Sequence, residues 1–339
     1  MMKNWLLNIE RKFDIEDKSE YSYILNQSER TTHIPHFQKF LQSINQEDFF
    51  FYPNTQKFKN KICSFYNVSH EQLFLCDGSD VGIKTVFESM TNKGNVITTH
   101  PSFPMYKIYS DLYQCDYIGI EHSDDYTISV DKMLTNVNSK TDLIILSNPN
   151  SPMGECKNMN SILPLLKTNV PILIDEAYVE FSDNKSFINY INDYPNLIVT
   201  RTFSKAFGAA GCRIGMVFSN EKNIELISKF RQMYEISGVS MKYCSHLLDN
   251  YDIVDTYIQE VKKEKTKILK LLKNYEVIDS NCNWIHFNND IDNKNTKEVF
   301  NKHKVLTKFC SIPHDNRKNW CRLTIQPEMS NLNFMKEIL

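Results

Sequence analysis

The 339-residue chain has only nine glycines, and none of them falls into a G-x-G-x-x-G run. The fingerprint that lets backbone approach a dinucleotide is therefore missing. Nine cysteines, scattered from Cys63 to Cys321, contain no C-x-x-C pair and are odd in number. This argues against a disulfide framework and predicts a reducing compartment, the cytoplasm. His33 and His36 stand close together, but no cysteine or carboxylate cluster accompanies them, so no metal centre is expected. No apolar run approaches the roughly 20 residues that a membrane helix needs. The opening MMKNWLLNIERKFD is broken at Asn8, Glu10 and Arg11 before an export segment forms. With 39 basic against 41 acidic residues the formal charge is -2, which creates no global attraction for nucleic acid or anionic lipid. No basic aromatic recognition motif is present either.

What remains is the composition of a soluble globular protein, 41% apolar and 24% charged. The length exceeds what one compact body usually holds, so a large and a small domain are expected. The middle of the chain alternates short apolar runs with amphipathic segments, the pattern of strands buried on both faces by helices. Strands are predicted at NVITT (95–99), DYIGIE (116–121), DLIILS (142–147), PILID (171–175), NLIVTR (196–201) and RIGMVFS (213–219). The fold class is α/β, with a mostly parallel, doubly wound sheet. After about residue 220 a charged helix places Val254, Ile258, Val261, Ile268 and Leu272 roughly one turn apart, and shorter strands follow at NWIHF, KVLTKF and CRLTI. The expected division is a large domain over 46–220 and a smaller α+β domain built from 1–45 and 221–339.

Polar and aromatic residues collect behind the predicted strands, where an open α/β sheet binds its ligands. HPSFPMY follows the first, NPNSPMG the third, and Asp175 ends the fourth and leads into EAYVEF; TFSKAF follows the fifth. Each alone has an ordinary explanation. NPNSPMG is rich in turn formers, Asp175 can cap a helix, Phe103 can be core, and Ser204 with Lys205 can start a helix. Together they suit a ligand that is anionic at one end, flat in the middle and reactive toward an amine. Ser204, Arg213 and the turn DGSD (77–80) ahead of a helix supply anion-binding groups. Phe103 can cover a flat ring, Asp175 can keep a ring nitrogen protonated, and Lys205 supplies the amine. Pyridoxal phosphate meets these requirements.

At these residues the chain resembles the fold-type I pyridoxal-phosphate aminotransferases, and among them the histidinol-phosphate aminotransferase group. The likeness runs from ILNQSER to CRLTIQPEMSNLNFMKEIL and is strongest in TFSKAFGAAGCRIG and DEAYVEF. It implies an aspartate aminotransferase-like fold with Lys205 as the Schiff-base lysine and Ser204 and Arg213 on the cofactor phosphate. Ser79 and Asp80 would lie at the phosphate-binding turn. Asp175 would bind the pyridine nitrogen, Tyr178 and Asn150 the ring hydroxyl, with Asn148 the less favoured asparagine, and Phe103 would stack on the ring. Tyr52 in FFFYPN matches a tyrosine that reaches the neighbouring subunit's cofactor, which implies a homodimer. Arg322 in CRLTI matches the arginine that holds an anionic substrate group.

The resemblance implies transamination of a small phosphorylated amine, ketone or amino acid, with glutamate and 2-oxoglutarate as the expected partner pair. Decarboxylation of phosphoserine or threonine phosphate is the alternative, and a catalytically silent relative is a third reading. Three departures touch substrate recognition. Lys308 stands where relatives often carry arginine, so a planar two-pronged grip on phosphate is replaced by a point charge. Ser28 replaces an expected asparagine, and Gln326 an expected glycine.

Overall fold

The computed structural model describes residues 4–10, 17–288, 294–310 and 320–338. Its first strand, β1 (Tyr23–Ile24), pairs far along the chain. The next seven make the main sheet: β2 (Leu73–Cys76), β3 (Asn95–His100), β4 (Asp116–Glu121), β5 (Thr141–Ser147), β6 (Ile172–Asp175), β7 (Leu197–Thr202) and β8 (Gly215–Ser219). Their order is β2-β8-β7-β6-β5-β3-β4. Every neighbouring pair from β4 to β7 is parallel, and β8 runs antiparallel to both β7 and β2. The link from β7 to β8, residues 203–214, carries only the short turn Ala210–Cys212 and no crossover helix, so the chain returns beside its own strand.

The predicted apolar runs are strands buried on both faces. In β5, Leu143 and Ile145 join Ile83, Val86 and Phe87 of the helix Gly78–Met90 in one layer. Ile144 and Leu146 point the other way and join Ile162, Leu165 and Leu166 of the helix Met159–Leu166. Each such side chain stabilises the fold by roughly 1.5–3 kcal/mol on burial. The sheet is thus the mostly parallel, doubly wound one that the sequence pattern predicts.

A four-stranded antiparallel sheet follows, formed by β9 (Glu276–Ile278), β10 (Trp284–Asn288) and two later strands. The predicted strand KVLTKF is divided. Its first part, β11 (Val305–Leu306), pairs in parallel with β1, and its second, β12 (Lys308–Cys310), joins β13 (Trp320–Thr324). Thr307 marks the break, where its hydroxyl donates to the Arg322 carbonyl at 2.8 Å. The sheet order is β12-β13-β10-β9. The charged helix Tyr251–Leu271 buries Val254, Ile258, Val261 and Ile268, as its spacing predicts. Among the described residues no helix is long and apolar enough to cross a membrane.

One buried ionic network ties the ends of β6 and β7 together. The Glu176 carboxylate accepts from Ser186 Oγ at 2.6 Å, from the Phe187 backbone N–H at 2.5 Å and from Arg201 Nη1 at 3.1 Å. Arg201 Nη2 also donates to Glu180 at 2.6 Å, and its guanidinium lies 5.2 Å from the Tyr66 ring centre. Burial pushes the Glu176 carboxyl up, and Arg201 pulls it back. Removing Arg201 leaves two buried carboxylates, Glu176 and Glu180, uncompensated. Arg201→Ala is therefore expected to destabilise the protein by about 3–5 kcal/mol, read as a lower urea midpoint; a midpoint within error of the native protein would contradict this account of the network.

Candidate active site

The carboxyl ends of β5, β6 and β7 are in register, with Ser147 beside Asp175 and Asp175 beside Thr200. They form the floor of a cavity. Ser79, Asp80, Phe103, Asp175, Tyr178, Ser204, Lys205 and Arg213 all line it. Residues separated by up to 134 positions in sequence, from Ser79 to Arg213, are thus gathered by the sheet topology alone.

At one end the helix Gly78–Met90 aims its first backbone N–H groups into the cavity region. The helix starts at Gly78, within the predicted turn, so Ser79 and Asp80 belong to its first turn. Gly78 has φ +80°, and a Cβ there would stand 2.4 Å from Arg213 Nη2. A Cβ on Gly215 would stand 2.2 Å from the backbone of Gly78 and Ser79. Arg213 itself is left-handed, at φ 51°. Two missing side chains and one strained arginine therefore bring helix terminus, guanidinium and the Ser204 hydroxyl together. Thr202 fixes Ser204: its Oγ1 donates to Ser204 Oγ at 3.0 Å and accepts from the Ser204 N–H at 3.1 Å. A cluster of donors and one cation at a helix start is an anion cradle.

At the centre, Asp175 is buried and accepts from the Tyr106 hydroxyl at 2.8 Å and the Thr200 hydroxyl at 3.0 Å. Burial pushes its carboxyl up, and these two hydrogen bonds oppose that shift. Among the described residues no lysine, arginine or histidine forms an ion pair with it. Such a carboxylate suits a cationic ring N–H. The Phe103 ring stands edge-on to Tyr106, 5.6 Å between centres. Lys205 follows β7, half-buried, with its ammonium 5.5 Å from the Tyr178 ring centre and donating to the Gln27 carbonyl at 2.7 Å. The residues present fit pyridoxal phosphate: an anion cradle, an unpaired buried carboxylate and an amine share one cavity.

Five of the candidate site residues do not line this cavity. Asn150 is fully buried; its amide donates to Thr99 Oγ1 at 3.1 Å and accepts from the Met153 N–H at 3.1 Å. Asn148 bridges to Lys157 through both its amide atoms. The wall at that loop is Ser151 instead, one residue further along. Tyr52 is 75% exposed and stacks on Tyr234, 4.0 Å between ring centres, in a separate surface groove. Arg322 lies in β13, where its Nη2 donates to the Asn26 carbonyl at 2.7 Å, and Lys308 stands opposite it on β12. Arg322 approaches the cavity through Trp284: its guanidinium is 5.4 Å from that ring, which in turn meets Tyr178 edge-on at 4.5 Å. Sequence reasoning missed Tyr106, Thr202 and Ser151, although Tyr106 ends the PSFPMY cluster and Ser151 sits within NPNSPMG.

The sequence matches the family "aminotransferase class I and II" over residues 24–336. A histidinol-phosphate aminotransferase of Christiangramia forsetii is 31% identical over 294 residues, covering 84% of this chain and 83% of the relative. The chain belongs to the class I and II aminotransferases. Among solved structures, the histidinol-phosphate aminotransferase of Sinorhizobium meliloti, in complex with pyridoxal-5'-phosphate, superposes with a TM-score of 0.86 at 17% identity, covering 99% and 95% of the two chains. The L-threonine-O-3-phosphate decarboxylase of Porphyromonas gingivalis reaches 0.79 at 18% identity, covering 93% and 98%. These two likenesses establish the shared fold.

The cradle makes a specific prediction. Gly215→Ala forces the helix start away from β8 and is expected to weaken binding of inorganic phosphate to cofactor-free protein about tenfold or more. Gly211→Ala, whose Cβ would meet nothing within 4 Å, is expected to leave it unchanged. Calorimetric titration of both variants checks this, and equal affinities would contradict the cradle.

Proposed function

We propose that this aminotransferase works with pyridoxal 5'-phosphate and moves an amino group from a small phosphorylated amine or amino acid to a keto acid, with glutamate and 2-oxoglutarate as the second pair. The observation that carries this reading is the convergence of Lys205, Asp175 and Arg213 in one cavity. The 31% identity to a histidinol-phosphate aminotransferase supports a phosphorylated substrate of that kind.

Ser79, Ser204, Arg213 and the start of the helix Gly78–Met90 would hold the cofactor phosphate, with Asp80 beside them. Phe103 would cover one ring face, and Asp175 would pair with the ring nitrogen. Tyr178 would meet the ring hydroxyl together with Asn150, or with Ser151, which is already in the cavity wall. When bound, the cofactor supplies an aldehyde for amine exchange and a ring that withdraws electrons from the substrate's α-carbon.

The chain's own groups do the rest. Lys205 must release the Gln27 carbonyl before its amine is available, because a lysine acts as nucleophile or base only when neutral. Its free amine would then serve as general base and acid for the substrate's α-proton. Asp175 holds its negative charge where water cannot screen it, so its influence on the ring nitrogen is strong. Arg322 and Lys308 would anchor the substrate's anionic group.

The same proposal includes a homodimer with composite sites. Phe49, Phe50, Phe51 and Tyr52 are each about 70% exposed, beside Met233 and Tyr234, forming an apolar surface suited to a second copy. From there Tyr52 would reach the partner's cofactor. A division into a cofactor-holding domain (46–220) and a smaller one (1–45 with 221–339) belongs to this reading. So does a cytoplasmic location, which suits the free thiols of the described cysteines.

Two assays test these points. Incubation with histidinol phosphate and 2-oxoglutarate is expected to release glutamate, with Asp175→Asn slower by about 10²–10³-fold. Carbon dioxide from threonine phosphate or phosphoserine without glutamate would support a decarboxylase instead, and neither product a silent relative. For the dimer, mixing inactive Lys205→Ala with inactive Tyr52→Ala protein is expected to restore activity, because one site of each hybrid is intact. Persistent inactivity of the mixture would contradict composite sites.

A further inference from the structure

A row of three basic side chains crosses the small sheet. Lys308 on β12 stands opposite Arg322 on β13, and Arg322 stands opposite His286 on β10. Residues directly opposite in antiparallel strands share a face, with Cβ atoms about 4.5–5.5 Å apart. The row runs inward from the edge: Lys308 is exposed, Arg322 is 9% exposed and His286 is fully buried.

The face they share looks toward the cavity. Trp284, two residues before His286, lies on that face, donates through Nε1 to the Pro152 carbonyl at 3.0 Å and meets Tyr178. The opposite face is apolar, with Ile285, Phe287, Cys321 and Leu323 in the main core. His286 could have been a satisfied core histidine, but it is not. Neither ring nitrogen has a hydrogen-bond partner among the described residues, and Arg322 Nε beside it has none either. Three buried polar atoms at one register position are expensive to leave unpaired. Such atoms in a native structure point to a missing partner.

The two neighbouring cations, Arg322 and Lys308, favour an anion as that partner. Burial first, and then Arg322 and Lys308, push the His286 imidazole down to about 3, so the ring is neutral as it stands and offers one N–H without adding a third positive charge. Two cations and one neutral donor match a phosphate monoester, which carries a charge of about -1.5 to -2 and three acceptor oxygens. A carboxylate has one charge to set against the two cations. The route in is also visible. Arg322 Nη2 and Lys205 Nζ donate to the carbonyls of adjacent residues, Asn26 and Gln27, so the arginine lies one residue from the contact that occupies the site lysine. An incoming phosphate would take the place of the Asn26 carbonyl on Arg322.

We propose that His286 is a specificity-determining residue, which donates to the substrate's phosphate alongside Arg322 and Lys308 and selects phosphate monoesters over carboxylates at this end of the site. The inference rests on the reading of Arg322 and Lys308 as substrate anchors. It is tested on holoenzyme, whose cofactor fills the other anion cradle, by titration with inorganic phosphate and with acetate at constant ionic strength. His286→Leu is expected to lose about tenfold or more in phosphate affinity, the worth of one hydrogen bond to a charged group, while acetate affinity changes less than about twofold. His286→Gln keeps an N–H and is expected to lose only about threefold.

Unchanged phosphate affinity in His286→Leu, or equal losses for phosphate and acetate, would overturn the proposal. If His286→Leu does not fold, His286→Gln carries the test: its phosphate loss must exceed its acetate loss, and no difference overturns the proposal. Glutamate release is measured on the same preparations. Amino transfer with a phosphate affinity indifferent to His286 sinks this inference alone; a phosphate response at His286 without amino transfer sinks the assigned reaction alone.

Discussion

A buried carboxylate at the end of the central strand organises the site. Asp175 takes hydroxyl hydrogen bonds from Tyr106 and Thr200, yet has no ion pair among the described residues. The low local dielectric that makes this arrangement costly also makes it effective, because a cation brought beside it is felt almost unscreened. The neighbouring strands, the edge-on Phe103 and Tyr106 rings and the Glu176–Arg201–Glu180 network beneath hold that charge in one place. Adjacent residues differ in their bonding: Glu176 holds β6 to β7, while Asp175 lines the cavity without an ion pair among the described residues.

The second constraint is steric. Gly78 and Gly215 are small because Arg213 and the first turn of the helix Gly78–Met90 occupy the space a Cβ would need. Arg213 adopts a left-handed backbone to reach that position. The anion cradle is thus prebuilt by the antiparallel return of β8, whereas Lys205 and Arg322 are occupied by the carbonyls of Gln27 and Asn26. On the proposed function the N-terminal segment would compete with ligand at these two points, and binding would displace it.

Much of this was legible in the sequence. Unbroken apolar runs gave away the parallel strands, because only strands covered on both faces carry them. The polar clusters behind those runs identified Asp175, Lys205 and Phe103, since residues at strand ends face one crevice. Other features were not legible, for reasons of geometry. The strand β2 is four residues with no alternation, and its partner β8 comes about 140 residues later. Ser151 and Asn150 are adjacent turn residues, and only the loop's hydrogen bonds decide which faces the cavity. Tyr106 acts through a bond to a residue 69 positions away. His286 reads as one member of an alternating strand until register sets it beside Arg322.

The central claim is that the Lys205 amine is the point of covalent attachment for the cofactor. Holoenzyme treated with borohydride, digested and examined by mass spectrometry tests it directly. The account predicts a single pyridoxyl phosphate adduct on the peptide that contains Lys205, and a matching adduct-free spectrum for Lys205→Ala. An adduct on another lysine, or none in protein that shows the cofactor's colour, would contradict it.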